Sequence, residues 1–238
     1  MSLLVGLTAE KAGGIMTIKS MTMESMNMKK SSRQLQKEQT KEVILNKAYQ
    51  LFARQGIMNT RMSDIAQGAE VSHGTVFAHF QTQERLVTEV IHIYGEKMAR
   101  RTHEAASTCE HMEELLAAHL TGIGEFEPFY TRLVIENRLL PPEARDVWVS
   151  IQSAISFHFS QVAQREISSG LINDHPLYLL FNTWVGLLHH YLTNGDLFAP
   201  EGNVIGRYGD MLVEHYMRMI RREGSQAVAA PGSCPATS

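Results

Sequence analysis

The sequence predicts an all-α protein in two parts, a small N-terminal unit of three helices and a larger helical C-terminal body. Three observations carry this prediction. Apolar residues recur at three- and four-residue spacing over most of the chain. Only 7 prolines punctuate the 238 residues, and good helix formers fill the stretches between them. No segment alternates apolar and polar residues at period two for long enough to form a sheet. With 44% hydrophobic and 20% charged residues, the composition fits a globular chain with a buried core.

The elements follow in order. Ile44, Ala48, Leu51 and Phe52 fall on one helical face and predict a first helix over 35–55, stopped by Gly56. A short helix over 62–69 follows Thr60, whose hydroxyl is expected to cap it. A second short helix starts after Ser72, another good cap, and runs to His79. Thr82 caps a longer helix over 83–103, with Glu84 at its positive end. Further helices are expected over 112–123, 129–140 and 142–168. Pro142 suits the first turn of the third, and Gly170 ends it. Pro176 opens a helix over 177–193 that Asn194-Gly195 closes. A last helix over 204–222 carries Arg218, Arg221 and Arg222 at its negative end.

The flanks differ from the rest. Residues 1–32 hold six methionines and few aromatic or β-branched residues, so disorder is expected there, and the translation start is left open. The tail from 224 to 238, rich in Ala, Gly, Ser and Pro, is expected to be disordered too. The expected organisation is therefore a helical unit over 33–82 and a larger helical unit over 83–223.

Charge is unevenly spread. From Lys29 to Arg61 eight basic side chains face only Glu38 and Glu42, a local balance of +6. From Val90 onward 11 basic side chains face 17 acidic ones, a balance of −6. A basic segment ahead of an acidic body suggests that one end meets a polyanion. Two distant cysteines, Cys109 and Cys234, form neither a disulfide framework nor a metal-ligand spacing. The start lacks a basic region before its short apolar run, and the apolar window 177–192 is broken by Asn182, His189 and His190. Neither a secretory signal nor a membrane span is expected, which favours a cytoplasmic location.

The stretch from Thr60 to Val87 is the most informative. Two short helices joined by a tight turn at Glu70-Val71 follow a longer helix. Ile65, Ala66, Ala69, Val71, Val76, Phe77 and Phe80 supply a compact apolar set, with Ala66 small where the helices cross. This is the organisation of a helix-turn-helix, whose second helix enters the DNA major groove. The residues Ala48…Leu51-Phe52…Gly56, Thr60…Ile65-Ala66…Ala69-Glu70-Val71-Ser72-His73-Gly74-Thr75-Val76-Phe77-Ala78-His79-Phe80 and Glu84…Leu86-Val87 resemble the TetR family of repressors. The likeness covers about fifty residues. Glu70 stands where many members have glycine, and Gln83 where many have a phosphate-binding lysine. The rest of the chain resembles the family only in length and helical content.

The resemblance implies a DNA-facing set. Ser72, His73 and Thr75 would face base edges or phosphates, Gly74 would let the backbone approach DNA, and Phe77 would make an apolar contact where tyrosine is usual. His79 and Gln83 would lie near phosphate. Thr60, Arg61 and Ser63 would hold the groove edge, while Lys37 and Lys41 add electrostatic attraction. Phe77 and Phe80 serve equally well as core residues, and Ser72 as a plain cap.

The C-terminal body must bury several apolar stripes. Leu180, Trp184, Leu188 and Tyr191, with Tyr208, Met211, Leu212 and Tyr216, are expected to form a homodimer interface, as the last two helices do in the family. Phe126, Tyr130, Trp148, Phe157, His158 and Trp184 are candidates for a pocket taking a small organic effector, or they are simply core. Arg132 and Glu136, four apart, are expected to pair with each other. His189 and His190 diverge on a helix and cannot share one ion, so neither metal nor cofactor is expected. No nucleophile elbow, phosphate loop or cysteine cluster points to an enzyme. The expected function is a DNA-binding transcriptional regulator, a repressor that leaves a near-palindromic operator when a small molecule binds. An activator, or a regulator without an effector, fits the same sequence.

Overall fold

The computed structural model describes residues 32–106 and 109–223. Ten helices span them: α1 Ser32–Gln55, α2 Met62–Gly68, α3 His73–His79, α4 Gln83–Ala106, α5 Met112–Gly124, α6 Glu127–Glu136, α7 Pro142–Ser168, α8 Leu177–Thr193, α9 Gly195–Phe198 and α10 Val204–Ile220. Among the described residues there is no strand, only an isolated bridge between Ile172 and Arg221. Expectations for 1–31 and 224–238 lie outside the described residues, and Ser32 already belongs to α1.

The chain divides into two units, 1–43 and 44–238. In the first, the described stretch is the opening of α1, with Thr40 Oγ1 donating to the Gln36 carbonyl at 2.8 Å. The second holds a continuous core from Ile44 to Ile220. There α4 packs along α5 and α7, α10 against α5 and α8, and α8 against α6 and α7. Helix α5 is apolar nearly all round, with Leu115, Leu116, His119, Leu120 and Ile123 buried, which suits a helix enclosed by neighbours.

Two buried carboxylates fasten helix starts across the body. Glu166 of α7 accepts the Met112 amide at 3.0 Å at the start of α5. Glu127 of α6 accepts the Val204 and Ile205 amides at 2.7 and 3.0 Å at the start of α10. Each satisfies N–H groups that no intrahelical carbonyl can reach, and each sits at the positive end of a helix dipole.

Several details depart from the sequence expectation. Helix α6 begins two residues before the expected Phe129, with Pro128 in its first turn, and stops at Glu136 rather than 140. The last helix ends at Ile220, where Asn173 N donates to its carbonyl at 2.8 Å and Arg222 N donates to the Leu171 carbonyl. Arg221 and Arg222 therefore follow the helix instead of filling its last turn. Gly195 opens the additional short helix α9.

Candidate DNA-binding surface and effector cavity

The helix-turn-helix is built by local chemistry. Ser72 Oγ accepts the Thr75 amide at 3.0 Å and caps α3. Thr82 Oγ1 accepts the Arg85 amide at 3.2 Å and caps α4. In the turn, Val71 N donates to the Ala66 carbonyl at 3.1 Å, and Glu70 takes a left-handed φ of +55°. A glutamate there carries strain of about 1–2 kcal/mol that glycine would avoid. Ile65 and Val76 are fully buried between α2, α3 and the rest of the core.

The DNA-facing candidates separate into two groups. Arg61, Ser63, Ser72, His73, Gly74 and Phe77 are exposed, Thr75 and His79 half-buried. The Phe77 ring stands 4.7 Å from that of His73, so α3 presents an aromatic pair beside polar groups, while Phe80 is buried. A Cβ at Gly74 would meet only Ser72 Oγ at 3.8 Å, so packing does not demand glycine there. Thr60 and Gln83 turn inward instead. Thr60 is fully buried, and its hydroxyl donates to the Gly56 carbonyl at 2.7 Å. It caps nothing: the Asp64 carboxylate accepts the Arg61 amide at 2.9 Å and closes the start of α2. Gln83 Nε2 donates to the Thr60 carbonyl at 2.9 Å, tying α4 to α2. Lys37 is exposed and Lys41 half-buried on α1.

Arg132 and Glu136 do not pair as expected. Glu136, buried, accepts the Met58 amide on Oε2 at 2.7 Å, and Arg132 Nη2 donates to the Arg54 carbonyl at 3.3 Å. Both reach from α6 to the end of α1 and the loop that leads into α2. Gly56, at φ +98°, makes room for the carboxylate, since a Cβ there would lie 2.6 Å from Glu136 Oε1.

A cavity of about 350 Å³ opens among α4, α5, α7 and α8, its walls including Thr102, Leu116, His119, Ile155, Phe159 and Trp184. Of the expected pocket residues, His158 and Trp184 line it and the other four do not. Tyr130 is buried, its hydroxyl 2.9 Å from His189 Nε2 and its ring edge-on to Trp148. Phe126 is half-buried, and Phe157 points outward, 61% exposed. His158 stands beside His103, ring centroids 5.3 Å apart, away from any metal cluster; none exists among the described residues.

The residue that sequence reasoning passed over is His119. Its Nδ1 accepts the Trp184 indole N–H at 3.0 Å, while Nε2 is buried without a partner. The Thr102 hydroxyl is buried and unpartnered too. Burial first, and then nearby His189, lowers the His119 pKa to about 4. The available signal was a lone histidine inside the otherwise apolar run Leu115 to Ile123.

The expected dimer set is mostly interior. Leu180, Trp184, Leu188, Leu212 and Tyr216 are buried within the protomer, and Tyr216 donates its hydroxyl to the Leu180 carbonyl. Tyr191 and Tyr208 are half-buried, Tyr191 stacked on Phe198, Tyr208 edge-on to Phe198 and the two tyrosine rings tilted against each other, and Met211 is exposed. The outward faces of α8 and α10 carry Tyr178, Leu179, Met211 and Met219.

The described fold is a capped helix-turn-helix leading into an all-helical body. Residues 44–90 match the family described as bacterial regulatory proteins, tetR family. The chain is 40% identical over 70 residues to an HTH-type transcriptional repressor of Mycobacterium tuberculosis, a match covering 29% of this chain and 37% of that protein. The matched segment thus spans little more than a third of the relative's length. The fold extends the likeness. The ketosteroid transcriptional regulator KstR2 of Mycobacterium tuberculosis superposes with a TM-score of 0.64 at 18% identity, over 78% of this chain and 96% of that one. FadR of Bacillus subtilis, solved with stearoyl-CoA, superposes with a TM-score of 0.61 at 18% identity, over 74% and 97%. No helix among the described residues is long and apolar enough to cross a membrane.

Proposed function

We propose that this chain is a homodimeric transcriptional repressor whose α3 reads operator DNA and whose cavity takes a small-molecule effector that releases it. The observation that carries this reading is α3 itself. Its outward face offers His73, Gly74 and Phe77 to solvent, while Val76 anchors the other face and Ser72 fixes its start. Seven residues with that division suit insertion into a major groove. Arg61 and Ser63, exposed at the start of α2, suit phosphates at the groove edge, and Lys37 and Lys41 add sequence-independent attraction. Thr60 and Gln83 support the head from inside rather than by touching DNA. A cavity of this size, bounded by four helices, is at the small end of the range known for organic ligands.

The test is a gel-shift titration with the DNA flanking the protein's own coding region, at two salt concentrations and with competitor DNA. A shifted band that survives competitor is the expected result, with affinity falling steeply as salt rises. Arg61→Ala should weaken binding to every sequence several-fold and flatten the salt dependence. Thr75→Ala should narrow the margin between operator and competitor. Unchanged binding in both variants contradicts the assignment of α3.

Dimerisation supports the same reading, because two α3 helices would meet the two halves of a near-palindrome. The interface is assigned to the outward faces of α8 and α10, where Tyr178 is 70% and Met219 51% exposed. Light scattering at micromolar concentration is expected to give twice the chain mass of 26.7 kDa. Leu179→Glu or Met211→Glu should shift the population to monomer, since each places a charge on an apolar face. A monomeric wild type would refute the arrangement.

A further inference from the structure

The cavity contains one chemical demand that the protein leaves unmet. His119 is 3% exposed and belongs to the wall of the cavity. The indole N–H of Trp184 can only donate, so His119 Nδ1 must accept. A neutral imidazole carries one proton, and with Nδ1 occupied as acceptor that proton sits on Nε2. His119 is therefore a fixed N–H donor, and no atom among the described residues accepts from it. The Thr102 hydroxyl lacks a partner as well, but it packs against Gly122 of α5. Buried polar groups are normally paired, so an orphan N–H donor in the wall of a largely apolar cavity marks where a guest's polar atom belongs.

The rest of the wall says what that guest is not. No Asp or Glu lines the cavity, so a cation would be buried without a counter-charge beside an N–H donor. Arg100, the one Lys or Arg side chain of the wall, is exposed to solvent, which leaves an anion at His119 without a buried counter-charge as well. His158, half-buried, is a further polar group of the wall, and the rest of the lining, such as Leu115, Leu116, Ile155 and Phe159, is apolar.

Resting on the effector-cavity reading above, we propose that the ligand is an uncharged, largely apolar molecule with one accepting oxygen, of the ketone, aldehyde or ester kind. His119 Nε2–H donates to that oxygen. Trp184 acts as a positioning residue, because its N–H selects the tautomer.

Four probes of equal heavy-atom number separate the chemistries: acetophenone, cumene, benzoate and benzamidine, titrated calorimetrically into the full chain without DNA. Acetophenone is expected to bind at least about tenfold more tightly than cumene, and the two ions more weakly still. In His119→Phe the advantage of acetophenone over cumene should fall below about twofold, while His119→Gln, which keeps a donor, should recover part of it. Nitrogen-15 spectra of the histidine rings should show the Nε2–H tautomer for His119 at neutral pH. This reading holds even if a variant fails to fold. Equal binding of cumene and acetophenone, tighter binding of either ion, no binding of acetophenone at millimolar concentration, or an Nδ1–H tautomer would each overturn the proposal. Operator binding, and its release by some charged compound, would then stand untouched. Conversely, selective acetophenone binding without any operator would uphold the cavity chemistry and remove the repressor.

Discussion

Gly56→Ala is expected to destabilise the protein by about 3 kcal/mol, more than its single methyl group suggests. Gly56 adopts φ +98°, where a Cβ costs about 1–2 kcal/mol from backbone sterics alone. The new Cβ would also sit 2.6 Å from Glu136 Oε1, well inside contact distance. The carboxylate must then move, and its 2.7 Å bond from the Met58 amide is lost. A hydrogen bond to a charged acceptor contributes about 1.5–3 kcal/mol when it cannot be replaced by water. Glu136→Ala isolates that second part, because Gly56 keeps its conformation. It should cost about 1–2 kcal/mol, less than Gly56→Ala. Urea unfolding midpoints at constant slope measure both. Gly56→Ala no worse than Glu136→Ala would mean that the left-handed turn carries no strain.

The same corner shows what was legible in the sequence. Gly56 as a helix stop, Ser72 and Thr82 as caps and the tight turn at Glu70-Val71 all follow from short-range rules, and all are found. The helices are readable because periodicity and caps act within a few residues. The partners of polar side chains are not readable, since they lie far away in sequence. Thr60 and Gln83 look like DNA ligands from position alone. In the fold the Gly56 and Thr60 carbonyls need donors, and those two side chains supply them. Glu136 likewise looks like half of an i, i+4 pair with Arg132 until the Met58 amide, 78 residues away, claims it.

The cavity was less legible for a related reason. Phe157 and Phe159 are chemically identical and two residues apart on α7, so about 200° separates them around the helix. One ends 61% exposed and the other 3%. Composition makes both of them pocket candidates, and only the packing of α4, α5 and α8 around α7 decides between them. The same applies to the expected interface. Trp184 and Tyr216 read as dimer contacts because both last helices are strongly apolar, yet they pack as tilted rings with centroids 5.4 Å apart inside one protomer.

Acidification should destabilise this protein before most of its carboxylates titrate, because buried His119 and half-buried His189 are held uncharged. Burial and the proximity of His189 lower the His119 pKa from 6.5 to about 4, and burial alone brings His189 to about 4. Both values lie below that of the unfolded chain, so between them the unfolded state binds more protons and gains stability as pH falls. The contribution of the two histidines is therefore fully present above pH 6.5 and is lost progressively down to about pH 4. For His119 the drop corresponds to roughly 3 kcal/mol, at 1.36 kcal/mol per unit. About 2 kcal/mol of that should already be lost on going from pH 7 to pH 5. His189 adds to the loss, although the two rings sense each other and their effects do not simply sum. Protonating His119 would also force a proton onto Nδ1, against the Trp184 N–H that it now accepts at 3.0 Å. Protonating His189 would make Nε2 a donor only, so that it could not accept from the Tyr130 hydroxyl 2.9 Å away. Urea unfolding at both pH values should show the midpoint falling, with His119→Gln losing roughly half of that sensitivity. A midpoint that stays level from pH 7 to pH 5 would mean that both rings find water or an acid in the native state, which would remove the buried neutral donor on which ligand choice rests.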